Sequence, residues 1–599
     1  MGDDIEMSSC APTTPSDALP RPHSECKRAS ASLENGIVVP QPSVFDPCPR
    51  SFAEKWSPAS TVRSTPPIDL QQMSPAVRSS PSRGLDDIEL VIDANAPMAK
   101  LAAVASSSME IAAIPPKAPC GLVLPCPPSD AEKVSYLQTF RPYIVAWSIV
   151  AVLSIQAGLW LCTMASPFLY WLGVPTSIML LYFVCYLAVA SSGKDFSLVE
   201  HAEVVQHGVE QDYLPTVDVF LPVCNEPVDL IANTWKYVSA LDYPKVTVHV
   251  LDDGAKDSVR DLAQVFGFQY IRRDDRPVLK KAGNLRYAFA RTSGEAVVIF
   301  DADFCPRPDF LRETLAYLVD PSIGIVQTPQ CFRWRKEQTW IEKGAGTYLE
   351  NFYRMEQMNR NRFGASVCVG SCAVYRRAAV EPFGGVVAVE HSEDIHTGCK
   401  ITEAGFKVIY LPLCLAIGVC PDEPRSYFMQ QYRWCAGSLG LVLRREFWTA
   451  DISVVQKTIF CVGMVAYFFA AMSPFLVPLP VLILIWVAPD EVLWYQTGLA
   501  APFLIFTIFV IPCWCRSFGC TSFAQRVWRS VSWYRVMVIQ CYAALFAIKD
   551  SLFGTSAAWV PSGAGSSQSS SRSYISSVRL LLAWNAVTIA LVIWGAALR

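Results

Sequence analysis

Apolar residues are concentrated in two parts of the chain, on either side of a middle stretch in which short apolar and polar segments alternate. Runs at 143–165 and 167–190 precede the middle, and runs at 458–487, 498–514 and 578–598 follow it. A helix needs roughly 20 apolar residues to cross a bilayer. The pattern therefore predicts five membrane spans, or seven if two ambiguous segments each add one.

The two ambiguous segments lie in the C-terminal part. The run 458–487 contains Pro474, Pro478 and Pro480, which predict one broken helix or a tight pair of helices. The stretch 536–548 is too short for a crossing, so an interfacial helix is predicted near 520–550. Arginines between 516 and 535 favour the cytosolic side for this region.

The middle of the chain, about 195–450, has the alternation of a soluble α/β domain. Strand-like segments at 217–221, 246–251 and 296–300 are separated by helical stretches. This order predicts a largely parallel sheet, and in such sheets ligands bind beyond the carboxyl ends of the strands.

The N-terminal stretch, residues 1–135, is rich in Ser, Pro and Ala and has no sustained periodicity. Such composition buries too little apolar surface to offset the entropy of ordering, so a disordered tail is predicted. The tail begins with acidic residues and no apolar run, which argues against a cleavable signal peptide.

Composition supports a soluble domain combined with membrane helices. The 599 residues are 52% hydrophobic and 17% charged, and the mean hydropathy is +0.28. The net charge of −3 gives no indication of nucleic-acid binding. The 21 cysteines are scattered without zinc-type spacing, which predicts neither a zinc module nor a disulfide framework.

Polar residues that suit nucleotide and metal chemistry follow each predicted strand. They are Asn225 and Glu226, then Asp252 and Asp253, then Asp301 and Asp303. Carboxylate oxygens two positions apart at a strand end suit Mg²⁺ or Mn²⁺ bridging the phosphates of a ligand. Taken singly, each pair is also consistent with an ordinary solvated loop.

Lys281 and an acidic helix start add further candidates. Lys281 begins a predicted helix, where a cation and close backbone approach suit a diphosphate. Ser392 is predicted as the N-cap of the helix that follows, and Glu393 and Asp394 are its first residues. A carboxylate there can serve as a general base towards a hydroxyl group. His396, nearby, is predicted to pack rather than to bind a ligand.

A third motif places Gln430, Arg433 and Trp434 on one face of a predicted helix, by their i, i+3 and i+4 spacing. Arginine can neutralise a leaving diphosphate, and tryptophan offers a flat surface for a sugar ring. An amphipathic helix at a membrane surface would show the same spacing.

The order of these motifs is more specific than any one of them. It comprises Asp252-Asp253-Gly254, Lys281-Ala282-Gly283-Asn284, Asp301-Ala302-Asp303, Gln327-Thr328-Pro329-Gln330, Val369-Gly370-Ser371 with Arg376-Arg377, Ser392-Glu393-Asp394, and Gln430-x-x-Arg433-Trp434. Over residues 135–599 this set resembles the processive family-2 glycosyltransferases, the cellulose synthase-like (β-glucan synthase) group.

The resemblance implies an α/β domain of GT-A type inserted between transmembrane helices. It implies residues 136–194 as two membrane helices, 195–450 as a cytosolic catalytic domain, 451–552 as membrane and interfacial helices, 553–577 as a gating-loop-like segment and 578–599 as a last membrane helix. The gating-loop match is 559–563, which lacks the usual family pattern. Cys224 stands where the family often has an aromatic residue near the base.

The resemblance also implies a reaction, an inverting transfer from a UDP-sugar in which Asp394 deprotonates the acceptor hydroxyl. Asp301 and Asp303 would hold the Mg²⁺ or Mn²⁺ ion. Asn225, Glu226, Asp252, Asp253, Lys281 and Arg433 would bind the nucleotide and diphosphate. Glu393, Gln430 and Trp434 would border the acceptor, and the product would leave through a channel between the membrane helices.

The implied donor is UDP-glucose, and the implied product is a β-glucan with 1,4 or mixed 1,3/1,4 linkages. A chitin- or hyaluronan-type synthase using UDP-N-acetylglucosamine and a mannan synthase using GDP-mannose share the motifs and stay open. A non-processive lipid glycosyltransferase, or a transporter or receptor with an inactive α/β domain, fits less well. The expected setting is a bilayer, the plasma membrane or the Golgi, with the catalytic domain in the cytosol and homo-oligomerisation open.

Overall fold

The structure is a computed structural model that describes residues 124–137, 142–192, 195–487, 522–554 and 568–598. Its central feature is a sheet with helices on both faces. The strands are β1 (Val217–Val223), β2 (Val246–Asp252), β3 (Gln269–Ile271), β4 (Ala296–Ile299), β5 (Cys305–Pro306), β6 (Ile323–Gln327), β7 (Cys331–Phe332), β8 (Ala373–Arg376), β9 (Lys407–Tyr410) and β10 (Ala416–Gly418).

Seven of these strands form the main sheet in the order β3-β2-β1-β4-β8-β6-β9. β8 is antiparallel to both of its neighbours, and the remaining pairs are parallel. The prediction of a largely parallel sheet is therefore confirmed, with β8 as the reversed strand. A second sheet of three short strands has the order β5-β10-β7.

Apolar strands bury both faces of the main sheet. β4 is buried throughout, as expected for a strand that has helices on both sides. One polar residue inside β1, Asp218, has a full set of partners. Its carboxylate accepts hydrogen bonds from the Gly294 amide at 2.6 Å and from Arg377 at 2.8 Å, and it contacts His249 at 3.0 Å. These bonds join β1 to β2 and to the segments that flank β4 and β8.

Some helices belong to the central domain and others flank it. The first ten helices in chain order are α1 (Asp130–Lys133), α2 (Pro142–Ala165), α3 (Gly173–Ser191), α4 (Leu198–Glu210), α5 (Val228–Val238), α6 (Asp257–Phe266), α7 (Lys280–Phe289), α8 (Phe310–Leu315), α9 (Trp340–Asn351) and α10 (Met358–Asn361). Next come α11 (Arg377–Val380), α12 (Glu393–Glu403), α13 (Pro424–Val442), α14 (Arg445–Thr449), α15 (Val454–Leu476), α16 (Pro478–Trp486), α17 (Phe523–Phe553) and α18 (Gln568–Ala597). A π-helical turn, Phe352–Gln357, joins α9 to α10.

Four described helical segments are long and apolar enough to cross a membrane: Val145–Met164, Pro167–Ser191, Val454–Trp486 and Phe523–Phe553. A shorter apolar helix covers Leu581–Ala597. The chain therefore has the helices of a membrane protein. The predicted run at 498–514 lies outside the described residues, so the total of five or seven spans stays a prediction.

The two ambiguous segments differ in outcome. The segment 458–487 is a broken helix, because α15 and α16 meet at Val477 beside Pro478. The stretch 536–548, predicted to be too short for a crossing, lies inside the 31-residue helix α17. The helix begins earlier, at a capping box on Ser522, and its first turns, 523–535, contain both polar and apolar residues. The short apolar run was therefore misleading about the length of the helix.

A short segment before the first apolar helix corrects the prediction of a disordered tail. Residues 124–135 belong to the folded structure, whereas 1–123 lie outside the described residues. Arg333 donates two hydrogen bonds of 2.7 Å to Glu132, and Lys133 pairs with Asp309 at 2.8 Å and with Glu313 at 2.6 Å. These long-range ion pairs anchor a segment whose own sequence has no periodicity.

Tyr136 completes this anchor. Its side chain is 2% exposed. Its hydroxyl is 3.2 Å from Glu350, and the guanidinium of Arg354 lies 3.9 Å from the ring centroid. The ring therefore closes a packed contact between the segment and α9.

Cysteines of the described segments are mostly free and buried, in agreement with their apolar sequence context. Cys331 and Cys414 are the exception, since they are joined in a disulfide with Cα atoms 6.1 Å apart. The sequence predicted no disulfide framework, and this single bond lies within the core near β7.

We predict that Tyr136→Ala destabilises the folded domain, by about 3–5 kcal/mol, because it removes a buried aromatic ring and its cation–π partner. The measurement is the thermal unfolding midpoint of purified protein in detergent. Tyr143→Ala is the matched control, because Tyr143 is 46% exposed. Equal midpoints for the two variants would contradict the anchoring role.

Candidate active site

A cavity of about 1040 Å³ opens at the carboxyl edge of the main sheet and continues between the apolar helices. Its wall brings together ten of the twelve residues predicted as site residues. These are Glu226, Asp253, Lys281, Asp301, Asp303, Glu393, Asp394, Gln430, Arg433 and Trp434. They come from six separate places in the chain, so the sheet edge and the helices α7, α12 and α13 converge on one cavity.

The acidic part of the wall lies just after β1 and β4. Burial, together with the nearby charge of Asp301, raises the pKa of Glu226 to about 7 and the pKa of Asp303 to about 7. Three carboxyl groups close together in a low dielectric resist ionisation together. A divalent cation would relieve this repulsion.

Lys281 lies opposite these carboxylates, at the start of α7. Its ammonium is 2.5 Å from Asp301 and donates to the Gly370 carbonyl at 3.1 Å. Burial alone would lower the pKa of Lys281, but the charges of Asp301, Glu393 and Asp394 outweigh it and raise the pKa above the usual range. Lys281 therefore stays charged and is placed to contact an anion.

Asp253 lines the cavity through a rigid pairing with Arg273. The guanidinium of Arg273, which is fully buried, donates to both oxygens of Asp253 at 2.7 Å. It also donates to the carbonyls of Val278 and Lys280 at 2.7 and 2.9 Å. One arginine thus fixes both the strand-end carboxylate and the loop that leads to Lys281.

Two predicted nucleotide-binding residues do not line the cavity. The buried carboxylate of Asp252 accepts hydrogen bonds from the amides of Ala255 and Lys256 at 2.9 and 3.1 Å and from the Tyr270 hydroxyl at 2.8 Å. It shapes the turn after β2. Asn225 has a positive φ of 71°, and its side chain is exposed outside the cavity wall. The sequence could not distinguish neighbours that point in different directions at a strand end.

Glycines allow backbone to approach the acidic residues closely. A Cβ on Gly254 would lie 2.9 Å from the Asn225 nitrogen, and one on Gly370 would lie 2.9 Å from an oxygen of Asp394. Gly370 also has a φ of 71°, which other residues rarely adopt. Both positions therefore require glycine for the local geometry.

The start of α12 holds the predicted base. Burial, together with the charge of Glu393 beside it, raises the pKa of Asp394 above its ordinary range. The amide of Ile395 donates to Asp394 at 2.8 Å. A carboxyl group with a raised pKa in a cavity is suited to proton transfer near neutral pH.

Ser392 differs from the prediction that it caps this helix. It occupies the N-cap position in a left-handed conformation, and its side chain makes no capping hydrogen bond. Its hydroxyl instead donates to the Arg433 carbonyl at 3.4 Å. The reason is the packing of α13, since a Cβ on Gly437 would lie 2.2 Å from the Ser392 oxygen. His396 packs as predicted, with its Nε2 atom 3.0 Å from the Gly437 carbonyl.

Helix α13 contributes Gln430, Arg433 and Trp434 to the wall, as their spacing predicted. Burial lowers the pKa of Arg433 to about 10, and the charges of Glu393 and Asp301 oppose that shift. The guanidinium is therefore charged at neutral pH and faces the same acidic residues as Lys281. The buried side-chain oxygen of Gln430 has no hydrogen-bond partner among the described residues.

Several wall residues were not singled out from the sequence as site residues. Gln330 accepts a hydrogen bond from the Tyr353 hydroxyl at 2.9 Å. Gln327 ties the same segment to the loop before β8, since its side chain accepts from the Val369 amide at 2.9 Å and donates to the Ser371 carbonyl at 2.9 Å. Their motif was noticed only as part of the family pattern, and no local signal revealed these contacts.

The inner part of the cavity is lined by helices that flank the domain. Tyr182 and Tyr186 come from α3, Tyr467 from α15, and Tyr348 and Gln540 from α9 and α17. The Gln540 amide donates to the Tyr348 hydroxyl at 3.1 Å. Aromatic faces and side-chain amides are the surfaces on which sugar rings stack and hydroxyl groups form hydrogen bonds.

The residues fit a divalent cation that is shared with a ligand. Within the described segments, no three His, Cys, Asp or Glu side chains form a metal-binding cluster. Mg²⁺ is commonly held by one or two carboxylates together with substrate phosphates. Asp301 and Asp303 are two such carboxylates in an open cavity wall. The predicted gating-loop match, 559–563, lies outside the described residues.

Similarity to known proteins agrees with this geometry. Residues 218–384 match the model of the family described as glycosyl transferase family 2. The chain is 36% identical over 237 residues to the cellulose synthase catalytic subunit [UDP-forming] of Pseudomonas fluorescens, a match that covers 38% of this chain and 32% of the relative. It is 29% identical over 345 residues to cellulose synthase 1 catalytic subunit [UDP-forming] of Komagataeibacter xylinus, a match that covers 56% of this chain and 45% of the relative. The chain thus spans less than half the length of these relatives.

Among solved structures, a mannosyltransferase of Pyrobaculum calidifontis in complex with GDP-Man and Mn²⁺ is similar over 63% of this chain and 99% of that one. The TM-score is 0.39 and the identity 17%. TarS of S. aureus in complex with UDP-GlcNAc is similar with a TM-score of 0.30 and 13% identity, over 58% and 95% of the two chains.

The sheet with its strand-end carboxylates, the ordered motifs around one cavity and the match over residues 218–384 agree with one another. Residues 218–384, which hold most of the mixed α/β sheet, match glycosyl transferase family 2, and the chain is similar over part of its length to cellulose synthase catalytic subunits.

Proposed function

We propose that the chain is a membrane-embedded, inverting, processive glycosyltransferase that polymerises UDP-glucose into a β-glucan with 1,4 or mixed 1,3/1,4 linkages. The observation that carries this proposal is the single cavity. It contains Asp394, the cations Lys281 and Arg433, and the carboxylates Asp301 and Asp303, and it continues between apolar helices. Such a cavity can hold a charged donor at one end and a neutral chain at the other.

In the proposed reaction, Asp394 takes the proton from the acceptor hydroxyl, which attacks the anomeric carbon on the face opposite the diphosphate. The bond to the diphosphate breaks, and the configuration at that carbon inverts. Lys281 and Arg433 stabilise the negative charge that develops on the leaving group. A divalent ion held by Asp301 and Asp303 would supply further charge neutralisation when bound.

The acceptor end is proposed to lie at α13. Trp434 provides a ring face, and Gln430 provides a buried amide oxygen without a partner among the described residues. The product is proposed to leave past the tyrosines and Gln540 of the inner cavity, between the apolar helices. The catalytic domain would face the cytosol, where nucleotide sugars are available.

The proposal predicts that Asp394→Asn lowers the turnover number by about 10²–10⁴-fold while donor affinity changes little, because the variant loses only the proton acceptor. The assay uses full-length protein in nanodiscs with Mg²⁺ or Mn²⁺. UDP-glucose, UDP-N-acetylglucosamine and GDP-mannose are supplied separately, nucleotide release is followed, and any polymer is digested with linkage-specific glycanases. Asp261→Asn, on the outer face of α6, is the control.

Nucleotide release from UDP-glucose alone, with a polymer cut by cellulase or lichenase, is the expected result. Release from UDP-N-acetylglucosamine or GDP-mannose would replace the donor and keep the mechanism. Absence of polymer from all three donors, or full activity in Asp394→Asn, would contradict the proposal.

Metal removal gives a second prediction. Chelation should abolish nucleotide release, and Mn²⁺ should restore it. Asp303→Asn should raise the Mn²⁺ concentration for half-maximal rate by about tenfold or more, because one of two protein ligands is lost. Titration of the rate with Mn²⁺ in both proteins is the measurement, and identical curves would exclude Asp303 as a ligand.

The acid side of the pH–rate profile gives a third prediction. Asp394 acts as a base only when it is deprotonated, so the rate should fall as the pH drops through its raised pKa. Glu393→Gln removes the neighbouring negative charge, which lowers the pKa of Asp394 and moves the acid limb of the turnover number to lower pH by about one unit. Donor and metal are kept saturating at each pH.

Glu403→Gln, at the far end of the same helix, is the control for this profile. A reduced rate with an unmoved acid limb would show that Glu393 acts on the acceptor and not on the ionisation of Asp394.

A further inference from the structure

His391 stands in the cavity wall directly before the acidic start of α12. The residues on both sides of it, Glu390 and Ser392, line the same cavity. The Nδ1 atom of the His391 ring is buried and has no hydrogen-bond partner among the described residues. A neutral imidazole has one N–H donor and one acceptor, so this ring has hydrogen-bonding capacity that the protein leaves unused.

Two cations line the same cavity wall as this ring, Lys280, the first residue of α7, and Arg433, on α13. Their charges lower the pKa of His391, and the charge of Glu390 opposes them. Glu390 is also the ion-pair partner of Lys280, at 3.1 Å. Burial and these two cations lower the pKa of His391 to about 4. The ring is therefore neutral in the ligand-free protein at physiological pH.

An anion bound between Lys281 and Arg433 would reverse this balance. Its negative charge would oppose the effect of Arg433 on His391, and its oxygens would accept a hydrogen bond from the ring. The donor diphosphate is the anion that the proposed function brings to this part of the cavity, whereas the sugar and the acceptor are neutral.

We propose that His391 is a donor-contact residue that hydrogen-bonds the diphosphate of the nucleotide sugar and takes up a proton from solvent as the diphosphate binds. The inference rests on the proposed function, because it assumes a diphosphate donor. The proton enters from the buffer on binding and returns to it when the nucleotide leaves, so no other reactant is needed.

Proton uptake gives donor binding a characteristic pH dependence. Between the pKa of the free ring and its higher value in the complex, affinity for the donor increases as the pH falls. From pH 8 to pH 6 the contribution of His391 is roughly three- to tenfold in affinity. Glu226 and Asp303 titrate in the same range but lose protons when a cation binds, so their contribution has the opposite sign. The difference between wild type and a His391 variant isolates the ring.

The test is isothermal titration of UDP-glucose into full-length protein in nanodiscs with saturating Mn²⁺ at pH 6, in two buffers of different ionisation enthalpy. His391→Gln is the variant, because glutamine keeps polar atoms but cannot bind a proton. His207→Gln, on the exposed side of α4, is the matched control. Uridine replaces the donor in one series to separate the diphosphate from the base.

On donor binding, we expect wild type and His207→Gln each to take up at least about half a proton more per donor molecule than His391→Gln does. With uridine in place of the donor, we expect the three proteins to take up equal numbers of protons. The Michaelis constant for the donor should rise in His391→Gln mainly below pH 7, with the turnover number nearly unchanged. Equal proton counts in wild type and His391→Gln would overturn the inference, as would a difference of the same size with uridine.

The glycan assay separates this inference from the proposed function. If wild type makes polymer from a donor and that donor gives equal proton counts, the role of His391 falls and the proposed function stands. If the donor binds with the expected proton difference but no polymer forms, the proposed function falls and the diphosphate contact stands. If none of the three donors binds, both are overturned.

Discussion

The concentration of acidic groups around one cavity is the constraint on which the rest of the site depends. The cations Lys281 and Arg433 lie in the same wall as several of these acidic groups. Among them are Glu226, Asp301, Asp303, Glu393 and Asp394. Burial of so many like charges is unfavourable, so the pKa values of Glu226, Asp303 and Asp394 are raised. A ligand that brings a cation and a diphosphate together would balance both sides, which supports the proposed binding of a metal-bound nucleotide sugar.

The framework that holds these charges is itself charged and rigid. Arg273 is bonded to both oxygens of Asp253 and to two loop carbonyls, so it has little freedom to act on a ligand. Asp218 has a similar role inside the sheet. Buried ion pairs of this kind cost desolvation, and their value lies in fixing geometry. The chain thus uses the charges of Arg273 and Asp218 for positioning, whereas Lys281 and Arg433 lie in the cavity wall, where Lys281 is paired with Asp301.

The sequence predicted the site well where the topology alone determines it. Parallel strands bring their carboxyl ends to one edge, so Glu226, Asp253 and Asp301 could be placed together before any coordinates were known. Asp252, Ser392 and His391 could not be placed, because their roles depend on neighbours from distant segments. Asp252 accepts hydrogen bonds from amides of the turn after β2, the close approach of Gly437 redirects Ser392, and charges on α7 and α13 act on His391. The anchored segment at 124–137 was missed for the same reason.

Helix α17 connects the chemistry to the apolar part of the molecule. It packs so closely on α9 that a Cβ on Gly344 would lie 2.5 Å from the Ser532 carbonyl. On α13 the Tyr432 hydroxyl donates to Asp550 at 2.9 Å, one residue from Arg433. A movement of α17 would therefore shift the helix that carries Arg433 and Trp434, and with it the wall of the inner cavity at Gln540. The proposed passage of a chain between the apolar helices would for this reason be mechanically linked to the proposed placement of the leaving group.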